Sequence, residues 1–532
     1  MPKEYERVLK HNKPSFGSHK KAWPVVSVLI PTFNRRRYFA EALASVVCQN
    51  YRNLQIIAVN DGGEDVSDIV NSYNDPRLLF INRKENRGKA HSLNEALAQA
   101  EGKYVAYLDD DDLYYPNHIE TLVDALENES DYQVAYSDLY KVYCKVCPDG
   151  SKQVLSKVAE FCRDFDRFVM LYFNQTVHQS LMHCRDLLEK TGPYNEDLNI
   201  FIDWDMTRRL VFFSDFYHAH RITGEFYRSV GKCDRISVRG RKDKSESLKN
   251  FLTIRTTRPA KPWTKLGDMS IIFITDQINK QAGATLGSIW QHTFYPYKVY
   301  LPLPTVNIER LDTKMPNIVP VPVNELSSKD QRIDAALTRC EGEYIAIVPS
   351  EFPIREFWVE DSLHALVNGP VSCEGFKLEA STDTLWAAVV RKEKLQYARR
   401  SFPNLPVRQS LKAAGIVLRQ PAFEERPFQF DDLFQEAQFA EKNGNWAQAA
   451  QMFEYIAEHH QNELWMKVLA AKAFFNAGGY TRATELSCEV NQQWPTVDTL
   501  LVEAKVNREK KDFNSAIGSL KRAEQILEGK EF

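Results

Sequence analysis

The chain has 532 residues, of which 43% are hydrophobic and 26% charged, and this is the composition of a globular protein of about two to four domains. Its 68 basic and 71 acidic residues give a net charge of −3, which provides no general attraction to nucleic acid or to an anionic membrane. No apolar stretch approaches the ~20 residues that cross a bilayer. The first 23 residues lack the apolar core of a secretory signal. Nine cysteines in so long a chain do not indicate a disulfide framework. We therefore expect a cytoplasmic protein, with a peripheral position at the inner face of the membrane as an alternative.

After a polar, basic arm over residues 1–23, strands and helices alternate in the first half of the chain. The predicted strands are Val25–Ile30, Gln55–Val59, Leu78–Ile81 and Tyr104–Leu108. Apolar-periodic helices are predicted between them, near residues 38–48, 66–73 and 90–100. This alternation predicts an α/β domain with a doubly wound parallel sheet over residues 24–262. Its last part, residues 235–261, is rich in Arg, Lys and Ser and is predicted to be a linker or a mobile loop.

Four consecutive aspartates, Asp109 to Asp112, follow the last of these predicted strands directly. They would therefore lie at the carboxyl end of a strand, where open α/β sheets bind ligands. So much negative charge is costly unless a cation neutralises it, and hard carboxylate oxygens select Mg²⁺ or Mn²⁺. An ion held there would clamp a diphosphate. The alternative is a solvated acidic turn, which is how most charge runs behave.

Sequence segments of the first domain recur in the second half of the chain. EGEYIAIVPSEF, from Glu341, matches EGKYVAYLDDDD, from Glu101, and SIIFITDQIN, from Ser270, matches SVLIPTFN, from Ser27. In this second copy Pro349, Ser350 and Glu351 replace the first three aspartates. A single carboxylate cannot hold a metal as a cluster does, so residues 263–428 are predicted to form a degenerate α/β domain of similar topology.

The last hundred residues, 429–532, show a shorter repeat. An aromatic residue followed three positions later by Ala occurs at Trp446, Tyr480 and Phe513, with spacings of 34 and 33 residues. This period resembles tetratricopeptide repeats, whose helical pairs stack into a solenoid. We expect an all-α domain that binds a protein partner, associates with itself, or serves as an architectural cap.

The first domain resembles the inverting glycosyltransferases of family 2, which have the GT-A fold. Five motifs carry the resemblance over roughly residues 24–235: SVLIPTFNR, VNDGG, NRGKAHSLNEAL, YLDDDD and GPYNEDLNIFIDWDMTRRL. Each motif alone is weak, but five in the right order and spacing are specific. The resemblance implies a metal-dependent transferase that uses a nucleoside diphosphate sugar and Mn²⁺ or Mg²⁺.

The resemblance also assigns nucleotide-binding residues at the ends of the first strands. Pro31, Thr32 and Phe33 would line the pocket for base and ribose, Arg87 would reach a phosphate, and Lys89 is a further phosphate contact. Asp61 would accept the imide hydrogen of uracil or thymine, which makes a UDP-sugar the expected donor. Asp61 also fits an Asx turn before Gly62, and both roles can coexist.

Metal and catalytic roles follow from the same resemblance. Asp111 is assigned to the ion, and Asp109 or Asp110 to the ribose hydroxyls or to water in the shell of the ion, with Asp109 as the second candidate metal ligand. The general base that deprotonates the acceptor is assigned to Asp203. Family members usually carry Glu-Asp where this chain has Ile202-Asp203, so Asp205 is kept as the alternative base. A plain helix N-cap is the non-catalytic interpretation of Asp203.

The sequence thus predicts transfer of a sugar to a hydroxyl of a glycan, glycolipid or protein. A sugar nucleotidyltransferase is a rival, although no Gly-rich phosphate loop follows the first strand. A non-catalytic scaffold that acts through the helical repeats is another. Four histidines are weaker candidates for the acceptor or phosphate site: His178, His183, His218 and His220.

Overall fold

The structure is a computed structural model that describes residues 23–159, 164–230, 244–308, 317–369, 373–382, 385–422, 429–459, 464–493 and 495–527. Its contacts divide the chain into two compact units. The first unit comprises Met1–Ile254, Pro259–Lys261 and Asp432–Phe532, and the second comprises Arg255–Arg258 and Pro262–Asp431. The arm predicted for residues 1–23 lies, except for Trp23, outside the described residues.

The first unit contains a nine-stranded sheet whose first four strands are parallel. These strands are β1 (Val26–Thr32), β2 (Leu54–Asn60), β3 (Leu78–Asn82) and β4 (Tyr104–Tyr107). The helices that connect them are α1 (Arg36–Val47), α2 (Ser67–Ser72) and α3 (Lys89–Ala98). The spatial order is β3-β2-β1-β4, so the chain reverses direction across the sheet beside β1. The carboxyl ends of β1, β2 and β4 therefore meet at one edge, on either side of the point where the order reverses.

Burial of one face of α1 fixes this half of the sheet. Phe39, Leu43 and Val46 recur at helical spacing, are fully buried, and belong to the same core cluster as Val28 and Ile30 of β1. Burying side chains of this size contributes about 1.5–3 kcal/mol each. The predicted alternation of strand and helix thus produces the expected layered packing.

The other half of the sheet is built from mostly antiparallel strands, three of which are longer than the strands of the first half. They are β5 (Leu113–Tyr114), β6 (Val134–Val146), β7 (Lys152–Ala159), β8 (Leu181–Cys184) and β9 (Phe216–Ser229). The order continues from β4 as β8-β6-β9-β5, with β7 paired to β6. The helices here are α4 (His118–Asn128), α5 (Arg167–Tyr172), α6 (Leu187–Thr191), α7 (Ile202–Leu210) and α8 (Lys244–Thr256). The predicted α/β class is confirmed, although the sheet is mixed rather than wholly parallel.

The prediction of a linker over residues 235–261 is wrong for its described part. Helix α8 occupies most of that part, and Phe251 packs on Trp204 with ring centroids 5.0 Å apart. The helix lacks a clear apolar face in sequence because its contacts come from a few large side chains. Residues 231–243 lie outside the described residues.

The second unit repeats the topology of the first. Its strands are β10 (Met269–Ile274), β11 (Tyr297–Pro304), β12 (Ile318–Val323), β13 (Tyr344–Pro349), β14 (Gly375–Lys377) and β15 (Ala388–Arg391). The helices are α9 (Lys280–His292), α10 (Thr305–Ile308), α11 (Lys329–Arg339), α12 (Glu360–Asn368), α13 (Lys392–Ser401) and α14 (Val407–Ala413). The order β12-β11-β10-β13, followed by antiparallel β15, matches β3-β2-β1-β4 followed by antiparallel β8. The predicted second α/β domain of similar topology is confirmed.

Each of the two units contains the same tight backbone contact. The amide of Gly102 donates to Ser27 Oγ at 2.9 Å, and the amide of Gly342 donates to Ser270 Oγ at the same distance. A Cβ atom added at Gly102 would lie 2.6 Å from a backbone nitrogen, and one at Gly342 would lie 2.5 Å from a backbone oxygen. Only glycine fits either position, so the same constraint appears in both copies of the motif.

The last described part of the chain is helical, and from the second of its helices onward each helix packs against the next. The helices are α15 (Gln429–Lys442), α16 (Trp446–His459), α17 (Leu464–Asn476), α18 (Tyr480–Gln493), α19 (Val497–Glu509) and α20 (Phe513–Leu527). The repeated aromatic residues Trp446, Tyr480 and Phe513 each begin a helix, as the period predicts. The all-α region is confirmed, and its membership of the tetratricopeptide class stays a prediction.

The last helices of this region join the core of the first unit. Leu500 and Ile526 belong to one apolar cluster with Tyr140 and Val142 of β6 and Tyr227 of β9. Leu500 and Val142 are fully buried. The helical region therefore covers an apolar part of the first sheet.

Candidate active site

The acidic run lies at the sheet edge where β1, β2 and β4 end, as predicted. The Asp112 amide donates to the Asp109 carbonyl at 3.2 Å, so the run forms a turn. One carboxylate oxygen each from Asp109, Asp111 and Asp112 lie within 4.8 Å of one another. This set of hard oxygen atoms fits a divalent cation such as Mg²⁺ or Mn²⁺.

Asp110 points away from this group and joins β4 to the end of β1. It is 5% exposed, and its Oδ2 accepts from Thr32 Oγ1 at 2.8 Å. Its Oδ1 accepts from Arg35 at 2.9 Å. Burial raises the pKa of Asp110 to about 6, while Arg35 acts in the opposite direction. Its predicted contact with the ribose stays a prediction, and in this structure its carboxylate is engaged within the protein.

Two cationic side chains contact the acidic cluster. Lys89 Nζ lies 2.5 Å from Asp109 Oδ1, and Arg35 lies 3.1 Å from Asp111 Oδ2. Burial acts to lower the pKa of Lys89, but Asp109, Asp203 and Asp111 outweigh it and hold that pKa above its ordinary value. Lys89 is the first residue of α3. These contacts offset part of the charge of the aspartates and place Lys89 among the carboxylates.

Asp61, after β2, organises the loop that leads to Lys89. It is 4% exposed, and its two oxygens accept the backbone amides of Arg87 and Gly88, each at 2.9 Å. Gly88 has φ +92°, a conformation that L side chains rarely adopt. The Arg87 side chain is exposed. Asp61 therefore has a clear structural role, and its predicted contact with a base stays a prediction.

The end of β1 supplies the remaining predicted nucleotide residues. Pro31 is half-buried, Thr32 is buried, and the Phe33 ring is 42% exposed. The amide of Asp61 donates to the Thr32 carbonyl at 2.9 Å, so the ends of β1 and β2 are adjacent. The structure thus brings Thr32, Asp61 and Asp110 together at the edge of the sheet, and Phe33 presents an exposed ring beside them.

Asp203 lies in the first turn of α7, one residue inside the helix. The residue that precedes the helix is Phe201, with φ +62°, so the interpretation of Asp203 as the N-cap is wrong. The Asp203 side chain is half-buried and its Oδ2 accepts from Asn174 Nδ2 at 3.1 Å. Burial raises the pKa of Asp203; the Lys89 ammonium opposes this increase, and Asp109 adds to it. A carboxylate with a raised pKa suits a general base.

Asp205, the alternative base, has a different environment. It is 1% exposed, and its Oδ2 accepts from Arg209 Nη2 at 2.7 Å and from Arg209 Nε at 3.1 Å. Arg209 also donates to the Thr191 carbonyl at 2.6 Å. Trp204 between the two aspartates is buried and donates to the Met170 carbonyl at 3.0 Å. The contacts therefore give Asp205 a structural role and favour Asp203 as the base.

A cavity of about 700 Å³ opens beside Asp111. Its lining includes Arg36, Arg37, Tyr38 and Lys152. Lys152 Nζ lies 4.4 Å from the centre of the Tyr38 ring and donates to the Asp111 carbonyl at 2.6 Å. The volume is within the range of small-molecule sites, about 300–1,000 Å³.

The weaker histidine candidates fall into two groups. His178 stacks on Tyr107 with ring centroids 4.2 Å apart, and His183 Nε2 lies 2.6 Å from the Tyr107 hydroxyl. Burial lowers the pKa of His178 to about 3 and that of His183 to about 4, so both rings are neutral core residues at pH 7. His218 and His220 belong to a separate group on β9.

Two residues of the site were not predicted: Arg35, which contacts two aspartates, and Asn174, which bonds to Asp203. Asp112 belongs to the predicted acidic run but was not assigned to the ion, and it contributes the third grouped carboxylate. Arg35 follows the motif PTFN directly, so its proximity to the site was available from the sequence. Asn174 was not, because the loop after α5 has no recognisable pattern.

The sheet order and the carboxylates at the edge of the sheet define this part of the chain as an α/β domain with a candidate cation site. Residues 27–170 match the model described as glycosyl transferase family 2. This region is therefore similar to glycosyl transferase family 2.

Curated relatives match a similar part of the chain. An uncharacterised glycosyltransferase of Rickettsia prowazekii is 32% identical over 211 residues, which cover 37% of this chain and 62% of that protein. An uncharacterised glycosyltransferase of Methanocaldococcus jannaschii is 29% identical over 195 residues, which cover 35% of this chain and 65% of that protein. The chain thus spans less than two thirds of the length of these relatives.

Solved structures show a weaker likeness. S. aureus TarS 1-349 in complex with UDP-GlcNAc is 20% identical, with a TM-score of 0.35 over 43% of this chain and 66% of that one. Its TM-score is too low to support a conclusion about this chain.

Among the described residues, no helix is both long and apolar enough to cross a membrane.

Proposed function

We propose that this protein is a metal-dependent, inverting glycosyltransferase. It moves a sugar from a nucleoside diphosphate donor, a UDP-sugar, to a hydroxyl of a glycan, glycolipid or protein acceptor. The site is at the edge of the first sheet, and the protein acts in the cytoplasm. Nucleic acid is not a substrate.

The observation that carries the proposal is the electrostatic grouping of Asp203 with the acidic run. Lys89 contacts Asp109 directly, and its charge also acts on Asp203. Two carboxylates that are 94 residues apart in sequence therefore lie in the electrostatic field of one ammonium group, that of Lys89. One group is suited to a leaving diphosphate and the other to an acceptor hydroxyl.

The grouped oxygens of Asp109, Asp111 and Asp112 are the donors that Mg²⁺ or Mn²⁺ prefers. An ion bound by Asp111 and Asp109 would supply Lewis-acid neutralisation of the leaving diphosphate. Lys89 and Arg35 carry positive charge at the same carboxylates and can turn toward phosphate oxygens when a nucleotide binds.

The proton transfer is assigned to Asp203. Its carboxylate accepts the proton of the acceptor hydroxyl while the new bond forms between that oxygen and the anomeric carbon. The bond from the anomeric carbon to the diphosphate breaks, and its electron pair leaves with the diphosphate. Attack opposite the leaving group inverts the anomeric centre. Asn174 Nδ2 donates a hydrogen bond to Asp203 Oδ2 and holds the carboxylate in place.

Donor binding is assigned to the predicted residues at the ends of β1 and β2. Asp61 Oδ1 accepts the Arg87 amide and lies 3.2 Å from Arg83 Nη1, whereas Oδ2 accepts the Gly88 amide. The second lone pair of Oδ2 can accept a base imide. The exposed Phe33 ring and the Arg87 side chain are available for the base and a phosphate. The cavity beside Asp111 provides room for an additional part of a substrate.

The direct test is a panel of nucleotide sugars incubated with the purified chain and Mn²⁺. We expect slow release of UDP from one UDP-sugar, loss of this release with a chelator, and inversion at the anomeric carbon when an acceptor is supplied. Pyrophosphate formed from UTP and a sugar phosphate would instead identify a nucleotidyltransferase. Failure to bind any nucleotide in calorimetry would favour a scaffold.

The role assigned to the helical region is architectural. Its last two helices share an apolar cluster with β6 and β9, so at least one of its faces is used inside the first unit. A protein partner or self-association would have to use another face.

A further inference from the structure

Four polar side chains meet in the first unit at a place that shares no residue with the acidic run. His218 and His220 belong to β9, Asp138 belongs to β6, and Asp164 precedes α5. The proposed transfer reaction uses none of them. Their chemistry also differs from that of the acidic run, because it combines imidazole with carboxylate.

The ligand atoms of this group are close enough to share one ion. One atom each from Asp164, His218 and His220 lie within 4.8 Å of one another. His218 Nδ1 lies 2.7 Å from Asp164 Oδ1, and His220 Nε2 lies 3.3 Å from the same oxygen. Ligands bound at about 2.0–2.1 Å around a tetrahedral Zn²⁺ are separated by about 3.3 Å. Small side-chain movements are therefore enough to admit the ion.

The other nitrogen of His218 has the partner that metal-bound histidines usually have. His218 Nε2 lies 2.6 Å from Asp138 Oδ1. Asp138 is fully buried, and within the described part of the chain its Oδ2 has no hydrogen-bond partner. A buried carboxylate behind an imidazole fixes the ring orientation and the tautomer that leaves Nδ1 for a metal. Asp138 thus contacts Nε2 of His218, and the other ring nitrogen, Nδ1, is the one that would bind the metal.

The backbone around these residues is irregular. His220 has φ +37°, which is unusual for a residue with a side chain. The pairing of β6 with β9 shifts register on both sides of Asp138. The His218 and His220 rings lie 3.9 Å apart, and the His220 side chain is 45% exposed. Such strain persists where the surrounding structure or a function requires it. Here it brings two histidines of one strand together and leaves one of them accessible to solvent.

We propose that His218 Nδ1, His220 Nε2 and the Asp164 carboxylate bind a Zn²⁺ ion, with Asp138 orienting His218. Imidazole with carboxylate is a typical zinc donor set, whereas an all-carboxylate group suits Mg²⁺ or Mn²⁺. The ion joins β9 to the segment before α5. Its fourth position is open to water. The site is independent of the proposed transfer reaction.

The test compares two full-length variants in which the acidic run cannot bind metal. The background is Asp111→Ala, and the test protein is Asp111→Ala with His220→Asn. Asn tolerates a positive φ and removes the imidazole, so the backbone conformation at residue 220 can be kept. Each protein is equilibrated with Zn²⁺, separated from free metal, and analysed for zinc content. A chelator competition gives the dissociation constant.

We expect one Zn²⁺ per chain in the background variant and a dissociation constant at least ten-fold higher when His220 is replaced. Zn²⁺ at a concentration between the two dissociation constants should raise the melting temperature of the background variant more than that of the His220→Asn variant. Asp164→Asn in the same background is the second variant if His220→Asn does not fold. Equal zinc content in the background and ligand variants, whether zero or one, would overturn the proposal and leave the group as an ion-paired cluster.

Discussion

Asp203 and Asp205 lie two residues apart on one helix, yet their surroundings separate their roles. Asp205 is buried and forms an ion pair with Arg209. Asp203 is half-buried and accepts a hydrogen bond from the neutral side-chain amide of Asn174. A buried ion pair is a structural feature, and breaking one costs about 3–5 kcal/mol because a charge is left uncompensated. A carboxylate without a direct ion pair in a poorly solvated place has a raised pKa and is available for proton transfer.

The variant Asp203→Asn should lose transfer and gain stability. Loss of the Asp203 carboxylate should reduce turnover by about 10²–10⁴-fold, the usual contribution of a general base. Because the folded-state pKa of Asp203 is raised, stability falls as pH rises through that pKa, and at pH 7 the charged form costs free energy that Asn does not. Turnover, UDP binding and the melting temperature at pH 7 test this prediction, and UDP binding should change little.

The matched control is Asp205→Asn, which should lower the melting temperature. A melting temperature unchanged by Asp205→Asn, together with full turnover in Asp203→Asn, would contradict the assignment of the two aspartates.

Lys89 should set the pH at which the enzyme becomes active. Its positive charge lowers the pKa of Asp203, so the variant Lys89→Gln should raise that pKa further. The acidic limb of the pH–turnover profile should then move to higher pH, because Asp203 must be ionised to act as a base. The profile is measured with saturating donor so that weaker phosphate binding does not enter. Lys84→Gln, an exposed lysine of the same loop, should leave the limb unchanged.

At the scale of elements, the helices that follow the second unit behave as part of the first sheet. Leu500 of α19 is fully buried in the cluster that includes Tyr140 and Tyr227, whereas its neighbour Leu501 is 37% exposed. Leu500→Ala should therefore destabilise the first unit by about 2–5 kcal/mol through lost burial and a residual cavity. Leu501→Ala should change stability by less than about 0.5 kcal/mol. Chemical denaturation of both variants, followed by aromatic fluorescence, measures the difference, and equal effects would count against this packing.

The elements also show which parts of the fold were predictable. The parallel strands were found because β1, β2 and β4 are short apolar runs followed by polar turns. The longer strands were missed because their cores contain charge. Lys157 of β7 and Glu225 of β9 are both buried and form an ion pair at 2.5 Å. In a sequence, such residues indicate a solvated surface, and only the tertiary structure shows that they satisfy each other.

Within the site, local motifs predicted positions better than partners. Motifs located the turn Asp109–Asp112, Asp61 and Asp203. The structure places the turn and Asp61 at one edge of the sheet, and Asp203 where the charges at that edge shift its pKa. The bond between Asn174 and Asp203 and the pairing of Asp205 with Arg209 depend on how α5, α7 and their loops pack. No local pattern encodes those contacts.

At the scale of the whole molecule, segments that are distant in the sequence belong to the same compact unit. The helical region is the last segment of the sequence, but its contacts assign residues from Asp432 onward to the first unit. A chain that ends at residue 428 should therefore leave the apolar residues of β6 and β9 uncovered, including Val142 and Tyr227. Exposed apolar patches of this kind promote aggregation.

We expect the chain truncated after residue 428 to melt at a lower temperature than the full chain and to aggregate, as measured by light scattering during heating. Because the proposed donor-binding residues are on the same unit, UDP binding should weaken as the sheet loosens. Supplying residues 429–532 as a separate polypeptide should restore part of the lost stability through the same apolar contacts. A truncated chain that stays monomeric, melts like the full chain and binds UDP equally well would show that the sheet does not need this cover. The helical region would then be free to serve a partner.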